Sequence, residues 1–320
     1  MEVVPGVHRI AAEVGGRPLY LFLFLGELRL LLDAGCSSSV EGFIVPYLAR
    51  LGLEIRDLDI LVISHCDLDH QGGAHALKQE NESLLVTCGA LDVPFVSDPE
   101  LLIAQRYEGF RADHGIGYDA ETLGWFREMC GPAQAVDIGW AGGETLRLGP
   151  DWELDFLHVP GHSPGHVALS DRRSGALFSG DCLQGSVYLG LDGTPRLCPT
   201  YTHVDPYLQT VAVIGSLAPS ELHGCHWPAQ RGDDVGAFLA ETREYVERID
   251  GLVVASLDDR PVTLRSLIAR VNDQFDEPWP DGLEQELVYS INGHVERLVE
   301  RGQASVGRNA DGYLVYRSAA

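Results

Sequence analysis

The sequence predicts a mixed α/β or α+β protein, with one large domain over residues 1–235 and a small C-terminal domain over residues 236–320. Three observations lead there. Short apolar runs bounded by glycine turns recur through the first part of the chain in strand-like form. Helically spaced apolar positions are interleaved among them, as in a layered α/β core. From about Asp233 the pattern changes to three helical segments and a hairpin. At 320 residues, 45% of them hydrophobic, the chain suffices for one sizeable core and a smaller unit.

Val7–Ile10, Leu19–Leu25 and Leu28–Leu32 read as strands rich in Leu, Phe and Val, with Gly15-Gly16 and Gly26-Glu27 as turns. Asp33-Ala34-Gly35 closes the last of them. Phe43, Ile44, Tyr47, Leu48 and Leu51 have helical spacing. Ile60–Ile63 is a buried-strand run that stops at Ser64. Ala74–Lys78 suits a helix and Leu84–Thr87 a strand. Leu91–Met129 mixes Pro94, Pro99, glycines and aromatics and reads as helices with loops between sheet strands. Tyr107, Phe110, His114 and Tyr118 are its candidates for substrate contact; the alternative is a helical excursion packed on the sheet. Strands return at Val136–Ile138, Glu144–Leu148, Trp152–Val159, Val167–Ser170 and Ala176–Phe178. Beyond Asp233, Phe238–Ile249 reads as an exposed charged helix. Leu264, Leu267, Ile268 and Val271 mark a second helix, and Leu287, Ile291, Val295, Leu298 and Val299 a third. A hairpin turns at Asn309–Gly312.

Formal charge is -24 and the pI about 4.7. Such a chain is a poor general partner for phosphate backbones or anionic lipid, so neither nucleic acid nor membrane is the expected partner. Lys78 is the single lysine; arginine carries the remaining positive charge. The seven cysteines show no repeated C-x-x-C, which fits reduced thiols in a cytoplasmic protein. The N-terminus lacks the basic and apolar regions of a signal peptide, and Leu19–Leu25 is too short to cross a bilayer as a helix.

The chemistry concentrates after Ile63. His65, Asp67, Asp69 and His70 offer four metal-ligating groups within six residues, and Gly72-Gly73 follow where the backbone must turn tightly. Imidazole and carboxylate suit zinc, iron and manganese, and so many such groups on one loop repel and desolvate one another unless a cation compensates. Further along come Pro160-Gly161-His162-Ser163-Pro164-Gly165-His166, then Ser179-Gly180-Asp181, then Leu222-His223-Gly224-Cys225-His226-Trp227-Pro228. Singly each reads as a turn.

In this order and at these separations the segments resemble the metallo-β-lactamase superfamily over roughly residues 1–230. The family signature His-x-His-x-Asp-His reads here His65-x-Asp67-x-Asp69-His70, with Asp67 in place of the second histidine. The resemblance implies a four-layer αββα metallo-β-lactamase sandwich. It implies one metal on His65, Asp67 and His162, a second on Asp69, His70 and His226, and Asp181 bridging them. Two zinc ions are expected, with iron or manganese possible. His226 is preferred to His223 because Trp227-Pro228 follow it closely. Asp33 is expected as a structural hydrogen-bonding residue and His166 as a neighbour of the ligands. Cys66, Cys182 and Cys225 adjoin proposed ligands but, pointing the opposite way, are read as buried. His8, His75, His158, His203 and His294 have no partner visible in the sequence.

The activity implied is that of a glyoxalase-II-like metallohydrolase. A metal-bound hydroxide attacks a small thioester, ester or lactone, with Asp69 and Asp181 as the catalytic carboxylates. Specificity is expected from Leu91–Met129 and from Gly185–Thr202. The C-terminal order of helices and hairpin resembles the small winged-helix appendage of some members, with packing or homodimer formation as its role. Alternatives are an RNA phosphodiesterase of the same fold, a mononuclear iron oxygenase, and a non-catalytic winged-helix binding or signalling protein with a vestigial metal site.

Overall fold

The computed structural model describes residues 1–280 and 282–319. Seven strands form the first sheet in chain order: β1 (Glu2–Val4), β2 (Val7–Val14), β3 (Arg17–Leu25), β4 (Arg29–Leu32), β5 (Ile60–Ile63), β6 (Leu85–Gly89) and β7 (Ile138–Trp140). It is antiparallel from β1 to β4 and parallel from β4 to β7. The next strands are β8 (Thr145–Gly149), β9 (Trp152–His158), β10 (Val167–Asp171), β11 (Ala176–Gly180), a short ribbon of β12 (Tyr188–Leu189) and β13 (Pro195–Leu197), then β14 (Glu221–Gly224) and β15 (Gln230–Arg231). The second sheet has the order β15-β14-β11-β10-β9-β8.

The alternation of side chains along these strands creates the layers. In β3 to β5, Phe22, Phe24, Leu30, Leu32, Ile60 and Val62 face the second sheet, where they meet Leu154, Phe156, Val167, Leu169 and Phe178. The intervening Leu21, Leu23, Leu31, Leu61 and Ile63 face outward beneath helices. Strands buried on both faces read as continuous apolar runs, which is why Ile60–Ile63 shows no polar alternation. The helices are α1 (Val45–Arg50), α2 (Leu68–Gln71), α3 (Ala74–Glu80), α4 (Val93–Ser97), α5 (Pro99–Leu102), α6 (Arg111–His114), α7 (Ala120–Cys130), α8 (Val204–Leu217), α9 (Asp233–Ser256), α10 (Leu264–Asn272) and α11 (Val288–Glu300). Those from α1 to α5 and α7 cover the first sheet, through Leu48, Leu77, Leu102 and Phe126. Helices α8 and α9 cover the second, through Tyr207, Val211, Phe238 and Val246 against Leu177 and Leu222. The result is the four-layer αββα sandwich.

Helix α8 lies where the sequence pattern suggested no element, although Val204, Tyr207, Val211 and Ile214 have helical spacing. Helix α9 extends the expected Phe238–Ile249 segment at both ends. The expected domain boundary at residues 235/236 falls in its first turn. The core of the second layer continues across that boundary into Leu267, Ile268, Ile291 and Val295 of α10 and α11. The C-terminal hairpin is β17 (Ala304–Arg308) and β18 (Leu314–Ser318), joined by a third strand, β16 (Val262–Thr263), that the sequence did not suggest. No helix among the described residues is long and apolar enough to cross a membrane.

Candidate metal centre

The two sheets bring their strand ends to one cleft. Strand β5 delivers Ser64 and His65 and runs into α2, which carries Asp69 and His70. The loop after β9 brings His162, the end of β11 brings Asp181, and the end of β14 brings His226. These residues and Asp67 form overlapping groups whose ligand atoms lie within 4.8 Å of one another: His65 with Asp67 and His162, His65 with His70 and Asp181, and Asp69 with His70 and His226. All seven residues singled out by the sequence therefore converge.

The shell beneath them sets their orientation. Asp33 takes a left-handed backbone conformation (φ 66°) at the end of β4. Its carboxylate accepts hydrogen bonds from Ser64 N at 2.7 Å, Ser64 Oγ at 2.9 Å and His70 Nδ1 at 2.9 Å. Ser64 Oγ lies 3.0 Å from His65 Nδ1. His226 Nδ1 donates to the Pro18 carbonyl at 2.7 Å. His65, His70 and His226 thus spend Nδ1 on the shell and turn Nε2 to the cleft. His166 accepts from the Asp181 backbone N–H at 3.1 Å and stacks on His65 with centroids 4.6 Å apart. His223 faces away, against Phe178 and Glu221. Cys66, Cys182 and Cys225 are buried free thiols.

Three atoms facing this space have no hydrogen-bond partner among the described residues: His65 Nε2, His70 Nε2 and Asp181 Oδ1. Buried polar atoms without partners are costly, and three that converge fit a cation. The electrostatics agree. Burial alone would lower His70, but Asp33 and Asp69 hold its pKa well above the usual imidazole range. His226 is likewise raised against the effect of burial, to about 9, by Asp181 and Asp69. In the metal-free chain protons stand where a cation would sit.

Asp67 is placed differently. Its carboxylate is clasped by Arg106, whose Nε donates to Oδ1 and Nη2 to Oδ2, the latter at 2.8 Å. Tyr107 Oη adds a bond at 3.2 Å and His162 Nε2 one at 2.9 Å. Although burial opposes it, Arg106 keeps Asp67 well below the usual carboxylate range. Burial and Arg106 push His162 down to about 4.

A family model described as the metallo-beta-lactamase superfamily matches residues 16–215, more than half of the chain. The chain belongs to that superfamily. Metallo-β-lactamase-fold proteins are mostly hydrolases that bind divalent metals. A hydroxyacylglutathione hydrolase, GloC, from Haemophilus influenzae is 30% identical over 149 residues, covering 43% of this chain and 58% of that one. An acyl-coenzyme A thioesterase, MBLAC2, from Gallus gallus is 30% identical over 156 residues, covering 47% and 48%. The chain spans about half the length of the curated relatives it matches. The crystal structure of a metallo-beta-lactamase family protein from Thermus thermophilus superposes with a TM-score of 0.75 at 20% identity, over 98% of this chain and 99% of that one. That likeness extends the shared fold through the C-terminal segment.

On this metallo-β-lactamase scaffold the cleft has a volume of about 210 Å³. Tyr107, Tyr118, Trp125 and Phe126 from the Leu91–Met129 segment form one wall, and Tyr188, Arg196, Leu197 and Thr200 another. Leu283, Glu286 and Tyr289 close it from the C-terminal segment. Glu286 accepts from Tyr118 Oη at 2.8 Å, and desolvation pushes its carboxyl up to about 7. Of the other aromatic candidates, Phe110 borders a neighbouring cavity and His114 stacks on Tyr316 instead. Sequence reasoning missed Arg106 and Asp92. Arg106 carried one signal: it lies three residues after buried Ile103 on a helical stretch, a charge on an apolar face that needs a partner. Asp92 is fully buried and ties Cys66 N, Ser163 Oγ and Gly165 N together, which fixes the two ligand loops to each other.

Proposed function

We propose that this protein is a metal-dependent hydrolase of a small thioester, with oxygen esters and lactones as the other candidate substrates. The observation that carries the reading is the convergence of unpartnered His65 Nε2, His70 Nε2 and Asp181 Oδ1 in one cleft. The names of the relatives, a hydroxyacylglutathione hydrolase and an acyl-coenzyme A thioesterase, favour a thioester.

Asp69, His70, Asp181 and His226 would hold a divalent cation, zinc first and iron or manganese next, with His65 facing the same space. Such a cation supplies an acidified water and polarises the substrate carbonyl. The chain's own residues do the remainder. Asp33 and the Pro18 carbonyl fix the imidazole tautomers of His70 and His226. Tyr188 Oη donates to Asp181 Oδ2 at 3.1 Å and holds that carboxylate in place. Asp69, within 3.4 Å of His226 Nε2, is positioned to take a proton from the attacking water and return it to the leaving group. The aromatic wall of Tyr118, Trp125 and Phe126 receives the acyl group and excludes water.

The C-terminal segment follows winged-helix order. We read it as a wall of the cleft, because Leu283, Glu286 and Tyr289 line it. A panel of acyl-coenzyme A, hydroxyacylglutathione and lactone substrates, run with and without a chelator beside elemental analysis, tests the reading. Hydrolysis that the chelator abolishes supports it. A chain that carries no metal and cleaves none of the three classes defeats it. The variant Asp181→Ala is expected to keep its fold by circular dichroism and to lose turnover at least a hundredfold.

A further inference from the structure

The two halves of the centre differ in a way that the superfamily pattern does not suggest. At His65, His70 and His226 the protons are arranged for a metal. Ser64 Oγ gives its hydrogen to Asp33 and so accepts from His65 Nδ1. His70 Nδ1 donates to Asp33, and His226 Nδ1 to the Pro18 carbonyl. Each leaves Nε2 as the atom facing the cleft.

His162 has the opposite arrangement. The Thr200 backbone N–H donates to Gln184 Oε1 at 2.9 Å, which fixes the amide so that Gln184 Nε2 points at His162 Nδ1, 2.8 Å away. An amide N–H there makes Nδ1 the acceptor, so the ring proton resides on Nε2. That proton is directed at Asp67 Oδ2, 2.9 Å distant. Asp67 in turn accepts from both Nε and Nη2 of Arg106 and from Tyr107 Oη. Arg106 is anchored further by Nη1, which donates to the His162 carbonyl at 3.0 Å, and its side chain is 10% exposed. Its Nη2 lies 3.2 Å from His162 Nε2. A dication placed among His65, Asp67 and His162 would have to displace the His162 proton and lie beside a buried guanidinium that cannot deprotonate.

We infer that Arg106 takes the place of one metal, so that the centre binds a single divalent cation at His65, Asp69, His70, Asp181 and His226, while Asp67 and His162 hold the guanidinium. This rests on the metallohydrolase reading above, and it reassigns two of the seven residues that the sequence offered as ligands. The guanidinium lines the cleft and is a fixed cation on its floor.

The test is metal stoichiometry, by elemental analysis and by calorimetric titration of the metal-depleted chain with Zn²⁺. The wild type is expected to bind one tight equivalent. His162→Ala is expected to keep that equivalent with affinity changed less than about threefold, whereas His226→Ala loses it. Arg106→Met is expected to gain a second equivalent. Two tight equivalents in the wild type would overturn the inference and leave the hydrolase reading standing. No equivalent would overturn the inference and, with no cleavage in the substrate panel, the hydrolase reading as well. A loss at His162→Ala as large as at His226→Ala would also overturn the inference, as would a single equivalent in folded Arg106→Met. The wild-type count decides even if that variant does not fold.

Discussion

Replacing Asp33 by Asn tests how the centre is pre-organised. Asp33 touches no substrate space: it is fully buried and accepts four hydrogen bonds, from Ser64 N, Ser64 Oγ, His70 Nδ1 and, at 3.5 Å, Cys225 Sγ. Asparagine keeps the shape but turns one acceptor oxygen into a donor amide. Whichever way the amide points, at least one existing donor faces another donor. The variant loses one hydrogen bond to a charged group, worth about 1.5–3 kcal/mol, and strands a buried donor at about 1–3 kcal/mol. Together that is about 3–5 kcal/mol, a large share of the roughly 5–15 kcal/mol that stabilises a typical domain. At about 2–4 °C per kcal/mol the melting temperature should fall by roughly 6–20 °C. The variant also frees His70 to place its proton on Nε2, so metal affinity should drop about 10–100-fold. Ser64→Ala is the control. By the same reckoning it costs about 2–5 kcal/mol, since the bonds to Asp33 and His65 go, but it leaves the Asp33–His70 contact and the His70 tautomer intact. Thermal melts of the metal-free chain and a Zn²⁺ titration against a competing chelator read both effects. An Asn variant whose affinity stays within twofold of wild type would refute the idea that Asp33 sets the His70 tautomer.

Three further outcomes follow from the same geometry. Desolvation raises Glu286 to about 7, so the folded chain holds a proton there that the unfolded chain releases near its ordinary value of 4.5. Stability should therefore fall as pH rises from about 4.5 to 7. The shift corresponds to at most about 3 kcal/mol and, in a cleft that admits water, about 1–2 kcal/mol. Glu286→Gln should flatten that slope in urea melts run across the pH range; an unchanged slope counts against it. Gly89 ends β6 where an added Cβ would lie 1.6 Å from the Gly165 carbonyl oxygen. Gly89→Ala should thus destabilise by at least about 3 kcal/mol and displace the His162 loop, and a loss under about 1 kcal/mol by urea melt would contradict the packing. The hundredfold loss of turnover expected for Asp181→Ala should persist at saturating Zn²⁺, because the carboxylate and not metal supply is limiting; recovery on adding metal would argue otherwise.

Much of this site was legible because its residues sit at strand ends. A strand such as Ile60–Ile63, buried on both faces, is a continuous apolar run, so the switch to His65, Asp67, Asp69 and His70 was conspicuous. Asp33 could be read as structural from its place in the turn that closes the superfamily's opening strands. What stayed hidden depends on pairing across distance. Arg106 lies 39 residues from Asp67, and Asp92 71 residues from Ser163; nothing local couples either pair. Helix α8 was missed although its apolar spacing is regular, and Pro206 in its first turn is tolerated there. The continuity of one core from the second sheet into α10 and α11 was equally invisible, since a composition change near Asp233 marks a change of element and not of core.

The substitution at position 67 and the arginine at 106 account for each other. A histidine at position 67 would place a neutral imidazole beside Arg106 and give the guanidinium no counter-charge. With Asp67 there the pair neutralises itself. The charge balance of the whole centre then favours one dication over two. Four carboxylates, Asp33, Asp67, Asp69 and Asp181, face Arg106 and two imidazoles, His70 and His226, whose pKa values are raised in the metal-free chain. A dication that displaces those two protons leaves the net charge where it was, slightly negative. A second dication would find no proton of that kind to replace, since His162 is held neutral by burial and Arg106, and would leave the buried centre positive. At an effective dielectric near 20 a dication about 4 Å from a guanidinium is opposed by roughly 8 kcal/mol. That cancels the comparable attraction of the Asp67 carboxylate and leaves a second dication little beyond the His162 imidazole. The departure from the superfamily signature is therefore a compensated exchange, in which a covalently attached cation replaces a diffusible one.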